Sequence, residues 1–541
     1  MIRTFAAGAL FFGSTLFGLS LGDISEKPAG HVKNFLIWEY LQQEVSPVQA
    51  DRAFEQIENV NTKLYLTYAK RSDNPDVVES ARCMRLKTAE LLPTRDDACL
   101  MLGLSPYKVS QLSRAERHTL AERLKDSPYA PWLRFMAETT VGSDPATFEP
   151  GVFMEVARRG GRAYRRAFLD RDYPPLFLRK LAKHWGFPSL VKLVVTDPEM
   201  KRFQRSLLAL EEAEVKAQTR FFLALNQLRH GYKKAALQLL ERAYDTFYYR
   251  MDKDKALFWQ YQITKAPELL TRLAESDDIN IYTLYADELL ERHVDNYFIT
   301  LESGYQKPRL DITDPFAWER ILDEIRATPK DKLFDLANTY RSEMLEPVQA
   351  FILERAYRYK MHNFIQPYRE MMSGMENDKK SLMLSLMRQE SRFIPSALSR
   401  SFALGLMQMM PFLVRAMDKE EKRKTVSLHK MFDPQTNIDY ASRHIDYLLK
   451  HLYHPLFIAY AYNGGIGFTK RMLLGGAFAK GPYEPFWSME MMANAESREY
   501  GKKVLANYVV YKNIFGERVS IGRLFDNLMH PSRTDRFRAS R

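Results

Sequence analysis

Apolar residues recur at helical spacing through most of this chain, and that spacing limits the fold more than any other feature. Ala236, Leu239, Leu240, Ala243 and Phe247 fall at i, i+3, i+4, i+7 and i+11, which lays one apolar stripe along a helix. Phe221, Phe222, Leu225 and Leu228 behave the same way just upstream. Segments beginning at Lys216, Lys233, Lys255 and Pro267 read as successive short helices, with His230-Gly231-Tyr232 and Lys265-Ala266-Pro267 as the links. Pro267 suits a first helical position, where its missing N–H is not needed. Alternating strand patterns closed by Asn-Gly turns are nearly absent. A chain of 541 residues is too long for one core. The reading is therefore all-α, with stacked helix pairs from about Glu26 to Leu345 forming a degenerate, superhelical α-solenoid without a strict repeat.

Composition changes near Glu370. Met371 to Asp378 reads as a linker, and after it the chain is rich in Met, Gly and Tyr. The expected division is a signal peptide over 1–22, the solenoid over 23–345, linker helices over 346–377, an α-rich catalytic domain over 378–515 and a basic tail over 516–541. Arg3 followed by the apolar run Phe5 to Leu21 resembles a secretory leader, with Ser20-Leu21-Gly22 as the cleavage region; an uncleaved anchor is the alternative, for which the run is short and Gly-rich. The leader reading places the mature protein outside the cytoplasm, in the periplasm. The end of the chain, from Pro531 through Arg533, Arg536, Arg538 and Arg541, reads as disordered.

The formal charge is +12, which favours an anionic partner. Nucleic acid, an anionic membrane and an acidic wall polymer all satisfy it. The basic residues are dispersed and no nucleic-acid recognition motif is present, so nucleic acid is not expected. Cys83 and Cys99 are the only cysteines. In an exported chain such a pair is expected to be oxidised, fastening two neighbouring helices. Two buried free thiols are the alternative.

The chemistry-bearing residues lie in the second part. Met387-Arg388-Gln389-Glu390-Ser391-Arg392-Phe393 ends a helix-like run that starts at Leu382. A carboxyl there sits among apolar neighbours, which raises its pKa and lets it donate a proton near neutral pH. Gly405-Leu406-Met407-Gln408-Met409-Met410-Pro411 supplies a turn with an amide and an adaptable apolar wall of Met407 and Met410. Ala461-Tyr462-Asn463-Gly464-Gly465 reads as an aromatic-amide loop able to hold a sugar.

In order and spacing, Glu-Ser-x-Phe, the segment from Ser399 through Ala403 to Pro411, Ala-Tyr-Asn-x-Gly, and Glu496 to Val504 resemble the lytic transglycosylases of the soluble murein transglycosylase family. The upstream helices resemble that family's ring-forming solenoid. The resemblance implies a lysozyme-like catalytic domain acting on peptidoglycan glycan strands in peripheral contact with the cell wall; wall-synthesis partners are not indicated. It implies Glu390 as the single acid and base. It implies Ser399, Gln408, Met410, Tyr462, Asn463 and Tyr500 as residues that shape the pocket or bind the muramyl sugar. Phe402 stands where the family usually has Gly, and Gly464 where it usually has Ala; Phe402 is expected to reshape the loop or touch substrate.

Two-carboxylate glycosidases need a second acid, whereas substrate-assisted enzymes use the sugar's acetamido group. The next acids, Asp418, Glu420, Glu421 and Asp433, lie in a stretch that reads as exposed. The resemblance implies the second route, ending in a 1,6-anhydro ring. One rival is a lysozyme-type hydrolase in which Asp418 or Asp433 positions water. Another is a non-catalytic helical scaffold whose Arg158, Arg159, Arg162, Arg165 and Arg166 hold acidic stem peptides. His444, His451 and His454 lack a completing ligand, so no metal is expected, and no cofactor is implied. Asp433 reads as the N-cap of the helix carrying Ile438, Tyr440 and Ile445.

Overall fold

The computed structural model describes residues 19–210, 214–301, 304 and 310–539. Most of the leader reading, residues 1–18, lies outside them; Gly22 falls in a short Leu21–Ser25 helix capped by Ser20. No helix among the described residues is long and apolar enough to cross a membrane. The only sheet among them is a two-residue parallel pairing of Tyr297–Phe298 with His362–Asn363.

The chain divides into two compact units, Met1–Leu104 and Ser105–Arg541. In the first, short helices such as His31–Tyr40, Pro47–Phe54, Thr62–Tyr68 and Pro75–Met84 each start at a polar cap, apart from the first, which follows Gly30. Ser46 and Gln49 form a reciprocal capping box, and Asn61 and Asn74 accept from first-turn amides. Such caps satisfy orphan N–H groups that helices this short cannot leave bare. Cys83 and Cys99 are bonded to one another with Cα atoms 5.0 Å apart, joining the Pro75–Met84 and Asp97–Gly103 helices.

In the second unit the stripes read from sequence become helix pairs. Ala217–Arg229 packs on Lys233–Thr246, that on Arg250–Thr264, and the series continues through Pro267–Ala274 to Ile281–Leu289. Three of the four starts fall within a residue of those expected. The third helix begins at Arg250 rather than Lys255, because Tyr249 is already extended and Asp252 sits in its first turn.

This stack leads to the candidate catalytic segment. Phe258 meets Phe486 at 4.6 Å between ring centroids, and Trp259 meets Trp487 at 6.1 Å. Glu288 accepts from the Ile521 and Gly522 amides at 2.7 and 3.1 Å. The described part of the chain end, 531–539, is ordered, contrary to the sequence reading. Pro531–Thr534 and Arg536–Ala539 are helical turns, and Arg538 grips Asp535 and the Ala477 and Phe478 carbonyls. Its arginines are partly structural, which composition alone does not reveal.

Candidate active site

Glu390 is the penultimate residue of the Asn377–Ser391 helix, which ends at Arg392 in the left-handed conformation. The helix buries Leu382, Met383, Leu384, Leu386 and Met387, so its last turn is held by apolar packing. Arg388, two residues before the acid, is fixed in an internal cluster. Its guanidinium donates to Glu354 Oε1 at 2.9 Å, Asn507 Oδ1 at 2.8 Å and the Asn363 carbonyl at 2.7 Å. The Arg392 and Arg388 charges outweigh burial and hold the Glu354 carboxyl below its ordinary value.

Among the described residues no cation neighbours Glu390 in the same way. Its Oε1 accepts from the Tyr500 hydroxyl at 2.7 Å. Burial pushes its carboxyl from 4.5 up to about 7, against the lowering effect of that hydrogen bond and with help from the Glu496 charge. A group poised near neutral pH exchanges its proton readily and can both lend and recover it. Burial, and then the Glu390 charge, raise the Tyr500 and Tyr462 hydroxyls well above their ordinary values, so both remain protonated donors.

Tyr500 lies on the long Ala495–Ile514 helix, capped by Asn494. Gly501 permits the close crossing with the Pro455–Gly464 helix, since a Cβ there would sit 2.1 Å from the Tyr460 ring. Glu499 and Lys502, on either side, enter a buried ionic cluster. Lys502 Nζ reaches Glu490 at 2.7 Å and Glu499 at 3.3 Å, and Arg498 reaches Glu499 at 2.8 Å. Tyr282, from the helical stack, donates to the same Glu490 at 2.8 Å. Burial raises Glu499, but the Lys255, Lys502 and Arg498 charges outweigh it and hold the carboxyl well below its ordinary value. The Tyr500 helix is thus pinned to the upstream stack, a link that no sequence motif marks.

The amide turn is compact. Gly405 has φ +73°, and a Cβ would lie 2.2 Å from the Met431 carbonyl and 2.3 Å from Asn437 Nδ2. Gln408 also has positive φ, and its Nε2 donates to the Ala397 and Gly405 carbonyls at 3.0 and 2.9 Å. Its donor side therefore braces the turn. Ser399 Oγ accepts from the Ala403 amide at 2.9 Å. Met410 is half-buried at the start of the Pro411–Glu420 helix, whereas Met407 is fully buried in the core and forms no outer wall. Phe402 is also fully buried, with φ +66°. It shapes the turn from within and is not placed to touch a ligand.

Tyr462, Asn463 and Gly464 close the Pro455–Gly464 helix and are not the loop expected; only Gly465, at φ +85°, turns the chain. The Tyr462 hydroxyl donates to the Met407 carbonyl at 2.7 Å, tying helix end to amide turn. Asn463 donates to Glu496 at 3.1 Å and accepts from Ser497 Oγ at 2.7 Å. Alanine at Gly464 would crowd that Ser497 oxygen at 2.8 Å, which accounts for glycine here. Glu390 thus binds Tyr500 and feels the Glu496 charge, Asn463 binds that same Glu496, and Gln408 and Met410 flank the turn that Tyr462 holds.

Sequence reasoning missed Asn437. It is fully buried, donates to the Leu404 and Met431 carbonyls at 2.9 and 2.7 Å, and accepts from the Met407 amide at 2.8 Å. Its position in the first turn after the Asp433 cap, on the buried side of that helix, was the available signal. Asp433 does cap this helix, accepting from the Thr436 amide at 2.8 Å. Asp418 is buried, not exposed, and binds the Tyr440 hydroxyl and the Val426 amide.

The histidines and arginines singled out from sequence have local work. His454 caps the Pro455–Gly464 helix, His451 stacks on Phe537, and His444 lies 5.5 Å from the Tyr462 ring. Arg162 and Arg166 bind Asp197, Arg165 donates to the Ala157 carbonyl, and Arg159 pairs with Glu155. Those four are engaged locally, whereas the buried Arg158 Nε has no hydrogen-bond partner among the described residues.

Residues 367–477 match the family described as Transglycosylase SLT domain. The soluble lytic murein transglycosylase of Escherichia coli K12 is 27% identical over 179 residues, covering 32% of this chain and 27% of that protein. The Salmonella typhimurium protein of the same name is 26% identical over 182 residues, again covering 27% of its length. The match therefore spans about a quarter of these relatives. Among solved structures, the chain is similar to the 70 kDa soluble lytic transglycosylase from Escherichia coli, with TM-score 0.47 and 16% identity over 94% of this chain and 84% of that one. The matched stretch takes in Glu390, the amide turn and Tyr462.

Proposed function

We propose that this protein is a peptidoglycan lytic transglycosylase. It cleaves the β-1,4 bond between N-acetylmuramic acid and N-acetylglucosamine without consuming water and leaves 1,6-anhydro ends. Glu390 protonates the bridging oxygen as the bond to the muramic acid C1 breaks. The sugar's acetamido oxygen stabilises the cationic centre, and Glu390, now a carboxylate, takes the proton from the C6 hydroxyl as that oxygen closes on C1. One observation carries the reading. Among the described residues Glu390 has no cationic partner; burial pushes its carboxyl up to about 7 and the Tyr500 hydroxyl holds it. Such a group serves as acid and base in turn.

The water-activating alternative has less support, because Asp418 and Asp433 are committed to Tyr440 and to a helix cap. Ser399, Gln408, Met410, Tyr462, Asn463 and Tyr500 form and brace the sugar pocket. In this division of labour, residues 23–345 present strands and 378–515 cut them, with 346–377 between. The Cys83–Cys99 bond supports a periplasmic location, where disulfides persist.

The test is mass spectrometry of fragments released from purified sacculi. The expected ends are lighter than hydrolytic ends by one water, and Glu390→Gln should abolish release while wall binding stays measurable. Hydrolytic ends, or lysis by the Gln variant, would overturn the assignment.

A further inference from the structure

A cavity of about 470 Å³ opens among the helices upstream of the SLT segment and shares no lining residue with the Glu390 site. Trp185, on its wall, leaves 74% of its surface exposed, an uncommon state for so large an apolar side chain. The Arg158 guanidinium lies 4.2 Å from its ring centroid and the His184 ring 5.6 Å away. Neighbours rather than burial thus hold the indole. Among the described residues, Lys183, Lys216 and Arg220 line the same cavity together with Glu214. Lys216 also precedes the Ala217–Arg229 helix, whose start has no side-chain cap, so the positive helix end adds to these cations.

A second observation points to a ligand. Thr219 lines the cavity, is 1% exposed, and its Oγ1 has no hydrogen-bond partner. A buried hydroxyl left unpaired is costly, and an entering polar atom removes that cost. An aromatic plate, a lone hydroxyl and a group of cations together suit one ligand chemistry. The apolar face of a sugar ring stacks on indole, a sugar hydroxyl pairs with Thr219, and a carboxylate meets the cations.

We infer that this cavity is an auxiliary site for a carboxylate-bearing oligosaccharide, a second grip on the strand away from the bond that Glu390 breaks. Its identity as a wall glycan rests on the function proposed above; the chemistry of the cavity stands apart from it.

The probe is peptide-free glycan of alternating N-acetylglucosamine and N-acetylmuramic acid, whose lactyl carboxylates are free, titrated into full-length Glu390→Gln protein. Adding Trp185→Ala is expected to weaken binding about five- to tenfold, and adding Lys216→Glu to weaken it by a similar factor. Neutral chitotetraose should respond to Trp185→Ala but not to Lys216→Glu. Both side chains lie at the surface of the cavity, so unchanged melting temperatures are expected to accompany these losses. Glycan affinity unmoved by Trp185→Ala overturns the proposal. So does a polyglutamate or single-stranded DNA probe that binds as tightly as the glycan and responds to the same substitutions. With Glu390 intact, cleavage of a tetrasaccharide should be unaffected by Trp185→Ala. If the parent protein cuts nothing, the proposed function fails while the binding losses still stand.

Discussion

Glu390 meets the Ala495–Ile514 helix from outside and Glu499 belongs to it, and the protonation of the two carboxyls runs in opposite directions. Glu390 meets a hydroxyl, and burial pushes it up to about 7. Glu499 is buried too, but Lys255, Lys502 and Arg498 outweigh that burial and hold it well below its ordinary value. Burial alone therefore does not decide the charge; the partner supplied to the buried group does. The Tyr500 helix thus holds a proton reservoir through its tyrosine and carries an ionic anchor on the neighbouring residues.

The two also pull stability in opposite directions with pH. Glu390, raised in the folded state, contributes stability that is fully present below about pH 4.5 and is lost as pH rises through about 7. Glu499, depressed in the folded state, contributes stability present above its unfolded pKa and lost as pH falls through its folded value.

The largest test attacks the anchor. Lys502→Met leaves Glu490 buried without its cation and is expected to cost about 3–5 kcal/mol in chemical denaturation. A loss below about 1 kcal/mol would mean that the anchor is not a buried pair of that kind. The next test removes the reservoir. Glu390→Gln should stabilise the protein, with the gain appearing above about pH 4.5, growing through about pH 7 and reaching at most about 3 kcal/mol. A gain independent of pH would contradict the raised carboxyl. Tyr500→Phe deletes the hydrogen bond that favours ionised Glu390. The alkaline limb of lytic activity should then move upward by about one pH unit or less, and a downward move would reverse the role given to that hydroxyl. Arg159→Ala, which breaks an exposed i,i+4 pair, should change stability by about 0.5 kcal/mol or less and marks the baseline for the other three.

The features legible in the sequence are those encoded locally. The stripe from Ala236 to Phe247 located its helix, and the Pro267 start and the Asp433 cap hold. Glu390 was legible as a carboxyl at an apolar helix end. Long-range polar pairing was not: the Tyr282–Glu490 bond joins residues 208 positions apart, and neither residue advertises the other. Tyr462-Asn463-Gly464 misled because turn-forming residues also close helices, and here the chain bends one residue later. Asp418 misled in another way, since a charged neighbourhood hid a carboxylate committed to Tyr440.

Glu499, Tyr500, Gly501 and Lys502 are consecutive, yet the outer two face the ionic cluster, Tyr500 faces the acid and Gly501 faces Tyr460. Each residue turns a helix by about 100°. Inserting or deleting one residue ahead of Glu499 would swing all four away from their partners at once. Length variation is therefore excluded from this stretch even where individual substitutions are tolerated.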